Sequence, residues 1–191
     1  MNFRVLLSSC LFLLVAALSE VRLQARDKAD KLELLPIDQS PKPSEWQLFM
    51  KLAIEDREAF WKYHKNRGKT LGDWAWEWRL AWVRVCGRSE RLYCGEILER
   101  SLQDPAVVVR AEAATTIGTR FEGTGYKKAA DLLVAAYLNP ENHRNRKPLW
   151  VQFRILEAMK KIGGQDLMTK GTMLARQDPA TLSYWKKLNK I

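Results

Sequence analysis

The chain has 191 residues, of which 47% are hydrophobic and 28% are charged. This composition is typical of a globular protein and excludes collagen-like, low-complexity and wholly disordered chains, and the length suits one domain with a single core. There are 32 Lys and Arg against 22 Asp and Glu, a formal charge of +10. A charged partner is therefore expected to be acidic.

The N-terminus has the pattern of an export signal. Residues 1–4 carry one positive side chain, residues 5–18 are almost wholly apolar, and Ala17-Leu18-Ser19 is a small-x-small ending. We predict a signal peptide over residues 1–19 and an exported protein, periplasmic or secreted. The apolar run is shorter than the roughly 20 residues of a spanning helix. An uncleaved anchor and lipid attachment at Cys10 are the alternatives.

A polar segment separates the signal from the predicted domain. Residues 20–43 end in Ser-Pro-Lys-Pro and are typical of a flexible tether, which leaves residues 44–191 as the helical domain. Ser44 and Gln47 form a predicted capping box, apolar residues then recur at helical spacing, and Gly68 supplies a C-cap. This pattern predicts one long amphipathic helix over residues 44–67.

From residue 72 onward the chain repeats itself. Three chemically different residues recur 31 positions later: Asp73, Arg79 and Gly87 return as Asp104, Arg110 and Gly118. A shared offset of this kind is typical of an internal repeat. Gln-Asp-Pro-Ala at 103–106 returns at 177–180, and Asn139-Pro140 stands at the corresponding place between them. Asp or Asn before Pro favours a helix start at each of these places.

The middle unit, residues 102–118, resembles the first helix and turn of a HEAT-like repeat. It has the Asp-Pro start, the Val-Arg pair, the small residues and the Ile before Gly of that family's pattern. The resemblance covers residues 72–191, with one good unit and three degraded ones, of which the last is a half repeat that we expect to cap the array.

This resemblance implies an all-α fold, namely a short right-handed α-solenoid of antiparallel helix pairs preceded by the long amphipathic helix. The second helices of the pairs are predicted over residues 89–102, 126–138 and 166–176. In HEAT-like stacks the Arg of one unit commonly pairs with the Asp of its neighbour. The implied structural ladder consists of Asp73, Arg79, Asp104 and Arg110.

Two cysteines remain after removal of the predicted signal, Cys86 and Cys94. In the implied arrangement Cys86 closes a first helix and Cys94 lies one turn into the second, so both flank one tight turn. An even cysteine count in an exported chain is compatible with a disulfide. Two buried thiols are the alternative.

No catalytic or metal-binding constellation emerges from the sequence. The two histidines, His64 and His143, lie in different units, and neither His-x-x-x-His nor Cys-x-x-Cys occurs. Gly-x-Ser-x-Gly and a Gly-rich phosphate loop are also missing from the sequence. We therefore predict a protein that is not an enzyme and that uses no metal or cofactor.

Tryptophans form one candidate binding feature. Trp74, Trp78 and Trp82 make a stripe at helical spacing, with Trp76 on another side. Such a stripe is more often part of the hydrophobic core than a binding surface. The alternative is that some of these indoles are exposed and stack on sugar rings or peptide side chains.

A basic insertion over residues 141–148 is the most site-like feature, because it interrupts the repeat and insertions in solenoids project from a face that frequently binds. Three further cations are candidates to extend this patch: Arg120, Lys127 and Lys128. The predicted partner-binding residues are His143, Arg144, Arg146, Lys147, Trp74 and Trp76.

These observations predict an exported, non-catalytic binding or scaffold protein that recognises an acidic protein through a repeat surface and the basic insertion. Nucleic acid is disfavoured as a partner by the export signal, although the charge would permit it. One alternative is a glycan-binding enzyme or enzyme accessory of the cell wall that uses the tryptophans, and another is a structural spacer. The sequence leaves the oligomeric state open.

Overall fold

The structure is a computed structural model that describes residues 35–145 and 147–190. This part of the chain is all-α, as predicted, with one pair of two-residue strands. The helices are α1 (Pro43–Met50), α2 (Ile54–Asn66), α3 (Trp76–Cys86), α4 (Leu92–Ser101), α5 (Val107–Arg120), α6 (Lys127–Leu138), α7 (Trp150–Ile162), α8 (Gln165–Ala175) and α9 (Pro179–Asn189). Short 3₁₀ turns span Leu71–Asp73 and Pro140–Asn142, and the strands are β1 (His143–Arg144) and β2 (Lys147–Pro148). The predicted signal peptide, residues 1–19, lies outside the described residues, as do residues 20–34 of the predicted tether.

The end of the predicted tether is part of the folded domain. Leu35 and Ile37 are buried, and the carbonyl of Ile37 accepts a hydrogen bond of 2.7 Å from the amide of Ala75. The indole N–H of Trp78 donates to the backbone carbonyls of Pro36, at 3.1 Å, and Gln39, at 3.0 Å. A flexible tether over residues 20–43 is therefore wrong for residues 35–43, because a buried indole on α3 holds this segment in place.

The predicted single helix over residues 44–67 is two helices. The chain leaves helical geometry between Met50 and Ile54, where the guanidinium of Arg57 donates to the carbonyls of Met50, at 3.2 Å, and Leu52, at 2.6 Å. Burial of these donors lowers the pKa of Arg57. The helix start also differs from the prediction, because the Glu45 carboxylate accepts from the backbone amide of Lys42 at 2.7 Å.

Aromatic packing gives the reason for this break. In one straight helix Phe49 and Phe60 would lie about 16 Å apart along the axis. The break folds α1 back on α2, so that the two ring centroids are 6.1 Å apart and both rings contact Trp82. Leu52, in the break itself, is buried with 3% of its surface exposed. The sequence spacing suits a straight helix, but burial of both phenylalanines requires the turn.

The first helices of the repeat units, α3, α5 and α7, run parallel and side by side. Near their C-terminal ends, Gly87, directly after α3, faces Thr116 on α5, and Gly118 on α5 faces Ala158 on α7. A Cβ at Gly118 would lie 2.6 Å from the Cα of Ala158. Gly118 therefore permits close helix packing and does not end its helix, since α5 continues to Arg120.

The second helices, α4, α6 and α8, lie within three residues of their predicted bounds. Their packing is uneven, because α6 packs on α7 and α8 more closely than on α4. The segment before α6 explains this. The amides of Gly123 and Gly125 each donate at 2.9 Å to a carbonyl at the end of α7, those of Lys161 and Ile162. The start of α6 is thus fastened to the following unit.

Two of the predicted helix starts, those at Asp104 and Asp178, differ from each other in the structure. Asp178 caps α9 as predicted, since its carboxylate accepts from the amides of Ala180 and Thr181 and Pro179 is the first helical residue. Asp104 also accepts from a backbone amide, that of Ala106 at 2.8 Å, but α5 begins only at Val107. Unlike Asp178, Asp104 also forms a buried ion pair with Arg79.

Cys86 and Cys94 form a disulfide, which is the pairing that the sequence left open. Their Cα atoms are 5.0 Å apart and both side chains are fully buried. The bridge joins the last residue of α3 to the first turn of α4. It therefore fixes the tight turn between the first and second helix of one unit.

Candidate functional site

A buried ion pair joins the first two units. The guanidinium of Arg79 on α3 donates to both carboxylate oxygens of Asp104, from Nε at 2.6 Å and from Nη2 at 2.9 Å. It also donates to the backbone carbonyl of Trp74. Both charged side chains are almost completely buried, so the pair belongs to the seam between units. This is one rung of the predicted ladder.

The second rung uses an amide in place of a carboxylate. Arg110 on α5 donates from Nε to the side-chain oxygen of Asn142 at 2.7 Å, and from Nη2 to the Glu141 carbonyl at 2.8 Å. Burial lowers the pKa of Arg110, whereas the charges of Glu141 and Asp104 act in the opposite direction. Asn142, the second residue of the insertion, is thus anchored in the core.

Asp73 does not belong to the ladder, and that part of the prediction is wrong. Its carboxylate accepts from the backbone amide of Thr70 at 2.6 Å and from the Thr70 hydroxyl at 3.0 Å. These two hydrogen bonds lower the pKa of Asp73. The repeat spacing is preserved here, but with no preceding unit to supply an arginine, the carboxylate closes a local turn.

The basic insertion forms a small hairpin on a fixed base. His143 pairs with Pro148 and Arg144 with Lys147, and between them Asn145 adopts a left-handed conformation with φ 53°. The ring Nε2 of His143 lies 2.8 Å from the side-chain nitrogen of Gln152, a fully buried residue that also donates to a backbone carbonyl of α6. Arg146 lies outside the described residues.

The hairpin exposes its cations. Arg144 and Lys147 are both exposed, and neither makes an ion pair within residues 35–145 and 147–190. The other predicted cations do not join them. Lys127 and Lys128 lie at the start of α6, whereas the hairpin follows its end, about 16 Å away along the helix axis. Arg120 donates to the carbonyl of Cys86 and is also at the far end.

The tryptophans divide into core and surface. Trp74, predicted as a binding residue, is only 2% exposed and packs edge-on against Phe60 and Trp82, so that prediction is wrong. Trp76 is 43% exposed at the first position of α3. Trp150, which the sequence analysis did not single out, is 46% exposed at the first position of α7. The signal for it was its place two residues after the insertion.

These exposed residues share one side of the molecule, which we call the N-terminal edge. Because α3, α5 and α7 are parallel neighbours, their first residues lie on the same side, with about 10 Å between neighbouring axes. The two Arg rungs also lie at this side and fix the spacing of the units. The N-terminal edge consists of Trp76, Trp150, Arg144 and Lys147.

Other chemistry is sparse in the described ranges. They contain no group of three or more His, Cys, Asp and Glu side chains placed to hold a metal ion. His64 is buried against Phe60 and Trp74, and burial together with the charges of Arg67 and Lys69 lowers its pKa. None of the helices in these ranges is both long and apolar enough to span a membrane.

No protein-family model matches the chain, and no curated protein or solved structure matches it either. The function of the protein is therefore inferred from the arrangement of its own residues.

Proposed function

We propose that this protein is an exported, non-catalytic binding module that recognises an acidic protein through its N-terminal edge. The observation that carries the proposal is that this edge has two exposed cations, Arg144 and Lys147, and two half-exposed indoles, Trp76 and Trp150. Neither cation is ion-paired within the part of the chain that the structure describes. Aromatic anchors supply affinity at interfaces, and unpaired cations steer and orient an acidic partner. By sequence, Arg146 adds a third cation.

The scaffold supports this proposal because the helix starts that form the N-terminal edge are held in fixed positions. Arg79 and Arg110 are buried and bound at the base of the edge, so the starts of α3, α5 and α7 keep a fixed spacing. A backbone that is already fixed does not have to be ordered on binding, which lowers the entropic cost of the complex. The hairpin shares this support, since its first residue follows Asn142 directly.

We further propose that residues 72–191 are a divergent HEAT-like array, a short right-handed solenoid. The parallel first helices and the buried Arg79–Asp104 pair across a unit boundary support this relationship. Export rests on the predicted signal peptide alone. N-terminal sequencing of the protein from a fractionated cell tests it, with Glu20 as the expected first residue.

The binding proposal is tested by capture with the tagged mature chain, residues 20–191, from envelope and secreted fractions. The test variant is Arg144→Glu with Lys147→Glu. The matched control is Lys186→Glu with Lys187→Glu, the same charge change at two exposed positions of α9. A protein retained by the native chain and the control but lost by the test variant supports the proposal. An empty capture, or equal loss with both variants, contradicts it.

A glycan-binding role is the alternative that the exposed indoles favour. Because Trp74, Trp78 and Trp82 are buried, such a role falls to Trp76 and Trp150. Wall fragments should then quench the fluorescence of the native chain, and less that of a Trp76→Ala, Trp150→Ala variant. A purely structural spacer predicts no change in either assay.

A further inference from the structure

A groove lies between the second helices α4 and α6, at the opposite end of α6 from the hairpin. Its volume is about 490 Å³. The floor is apolar and includes Leu98, Ile117 and Ala129, and the rim includes Leu92 and Tyr126. The groove exists because Gly123 and Gly125 fasten the start of α6 to the end of α7, which draws α6 away from α4.

The exposed apolar rim indicates that this groove has an occupant. Leu92 is 96% exposed on α4, and a Cβ at Gly95, one turn later, would contact nothing. Across the groove, the half-exposed ring of Tyr126 stacks on Phe121 with centroids 4.7 Å apart. Burial of an exposed Leu side chain stabilises a complex. The shape of the groove and the lack of a side chain at Gly95 leave room for a row of apolar side chains from the occupant.

The two walls carry opposite free charges. Glu99 on α4 and Lys128 on α6 line the groove, both are exposed, and neither is ion-paired within the described ranges. A further lining cation, Arg120 at the end of α5, donates to the Cys86 carbonyl and is also without an ion pair in these ranges. Glu96, on the same wall as Glu99, is already paired with Lys65 and Arg100. An occupant that complements the free charges has a basic side toward α4 and an acidic side toward α6.

We propose that this groove binds an amphipathic α-helix of a partner protein, with an apolar stripe on the floor, basic residues on the flank that faces Glu99 and acidic residues on the flank that faces Lys128. The groove runs beside α4, whose ten residues span about 15 Å, so three turns of helix fill it. Apolar anchors at helical spacing in a hydrophobic groove are a recurring mode of peptide recognition. This surface is separate from the N-terminal edge and does not depend on its function.

Three synthetic helical peptides with the same apolar stripe test the proposal on the mature chain by fluorescence anisotropy. One has a basic and an acidic flank, one has two acidic flanks, and one has two basic flanks. We expect the split-flank peptide to bind about threefold more tightly than the others. Leu92→Lys should weaken binding by about tenfold or more, whereas Met173→Lys, at an exposed position of α8, should leave it unchanged.

Charge reversal tests the walls separately. Glu99→Lys should move the preference to the peptide with two acidic flanks, and Lys128→Glu to the one with two basic flanks. The proposal is overturned if no peptide binds, if binding survives Leu92→Lys, or if the native chain is a dimer that Leu92→Lys dissociates, since the occupant is then a second copy. The Arg144→Glu, Lys147→Glu variant should bind the split-flank peptide normally, which separates this proposal from the proposed function.

Discussion

Arg79 and Asp104 form a two-point ion pair across the boundary between the first two helical units, and both side chains are buried. Removal of one partner leaves an uncompensated charge in the seam. We expect Asp104→Ala to lower the free energy of unfolding by about 3–5 kcal/mol. The matched control is Glu112→Ala, which breaks the more exposed Arg84–Glu112 pair between the same two units and should cost less than about 1 kcal/mol. Urea unfolding measures both, and equal losses would contradict the seam role of Asp104.

Gly118 and Gly95 offer a second matched pair, since both are helical glycines. At Gly118 a new Cβ meets the backbone of Ala158 at 2.6 Å, so Gly118→Ala should force α5 and α7 apart and cost about 1–3 kcal/mol. At Gly95 a new Cβ meets no atom within 4 Å, and Gly95→Ala should stabilise α4 by up to about 1 kcal/mol. Thermal unfolding of the two variants should therefore shift in opposite directions.

The disulfide between Cys86 and Cys94 closes a short loop, with a sequence separation of 8. The loop-entropy account gives about 2–3 kcal/mol for a bridge of this span. A reductant should lower the free energy of unfolding of the native chain by that amount, which is measured as a lower urea midpoint. The Cys86→Ala, Cys94→Ala variant should start near the reduced midpoint and should not respond to reductant. A native midpoint that is the same with and without reductant would show that the bridge is not formed in solution.

Local patterns in the sequence predicted the helices of the repeat region well. The second helices and the Asp178 cap are set by hydrophobic spacing and by residues adjacent in the chain, which is information that the sequence carries directly. The break after Met50 was missed because Phe49 and Phe60 fit a straight helix, and only the distant burial site at Trp82 requires the turn.

The candidate site was harder to predict, because identical spacing does not ensure identical partners. Asp73 keeps the repeat position of Asp104, but it bonds to Thr70 and makes no ion pair with an arginine of the described residues. Asn142 takes the role of an Asp from within the insertion, where the register of the repeat is lost. The stripe that contains Trp74 showed which helix face is apolar, but α2 covers that face, and nothing near Trp74 in the chain indicates this.

We expect His64 to make the stability of the protein depend on pH. Burial lowers the pKa of His64, and the positive charges of Arg67 and Lys69 act in the same direction, while Tyr63, Phe60 and Trp74 surround the ring. In the unfolded chain the imidazole regains its usual pKa of about 6.5. Below that pH the unfolded state binds a proton that the folded state does not.

The sign of the effect follows from this difference. The contribution of His64 to the free energy of unfolding is complete above about pH 6.5 and falls as the pH is lowered from there toward the folded pKa of His64. Below the folded pKa this group causes no further loss. Urea midpoints between pH 8 and pH 5 measure the slope. His64→Phe, which keeps the aromatic contacts, should flatten that slope, whereas His143→Gln, at the exposed histidine, should retain it. If the His64→Phe variant loses stability over this range as steeply as the native chain, carboxylates and not His64 set the acid response.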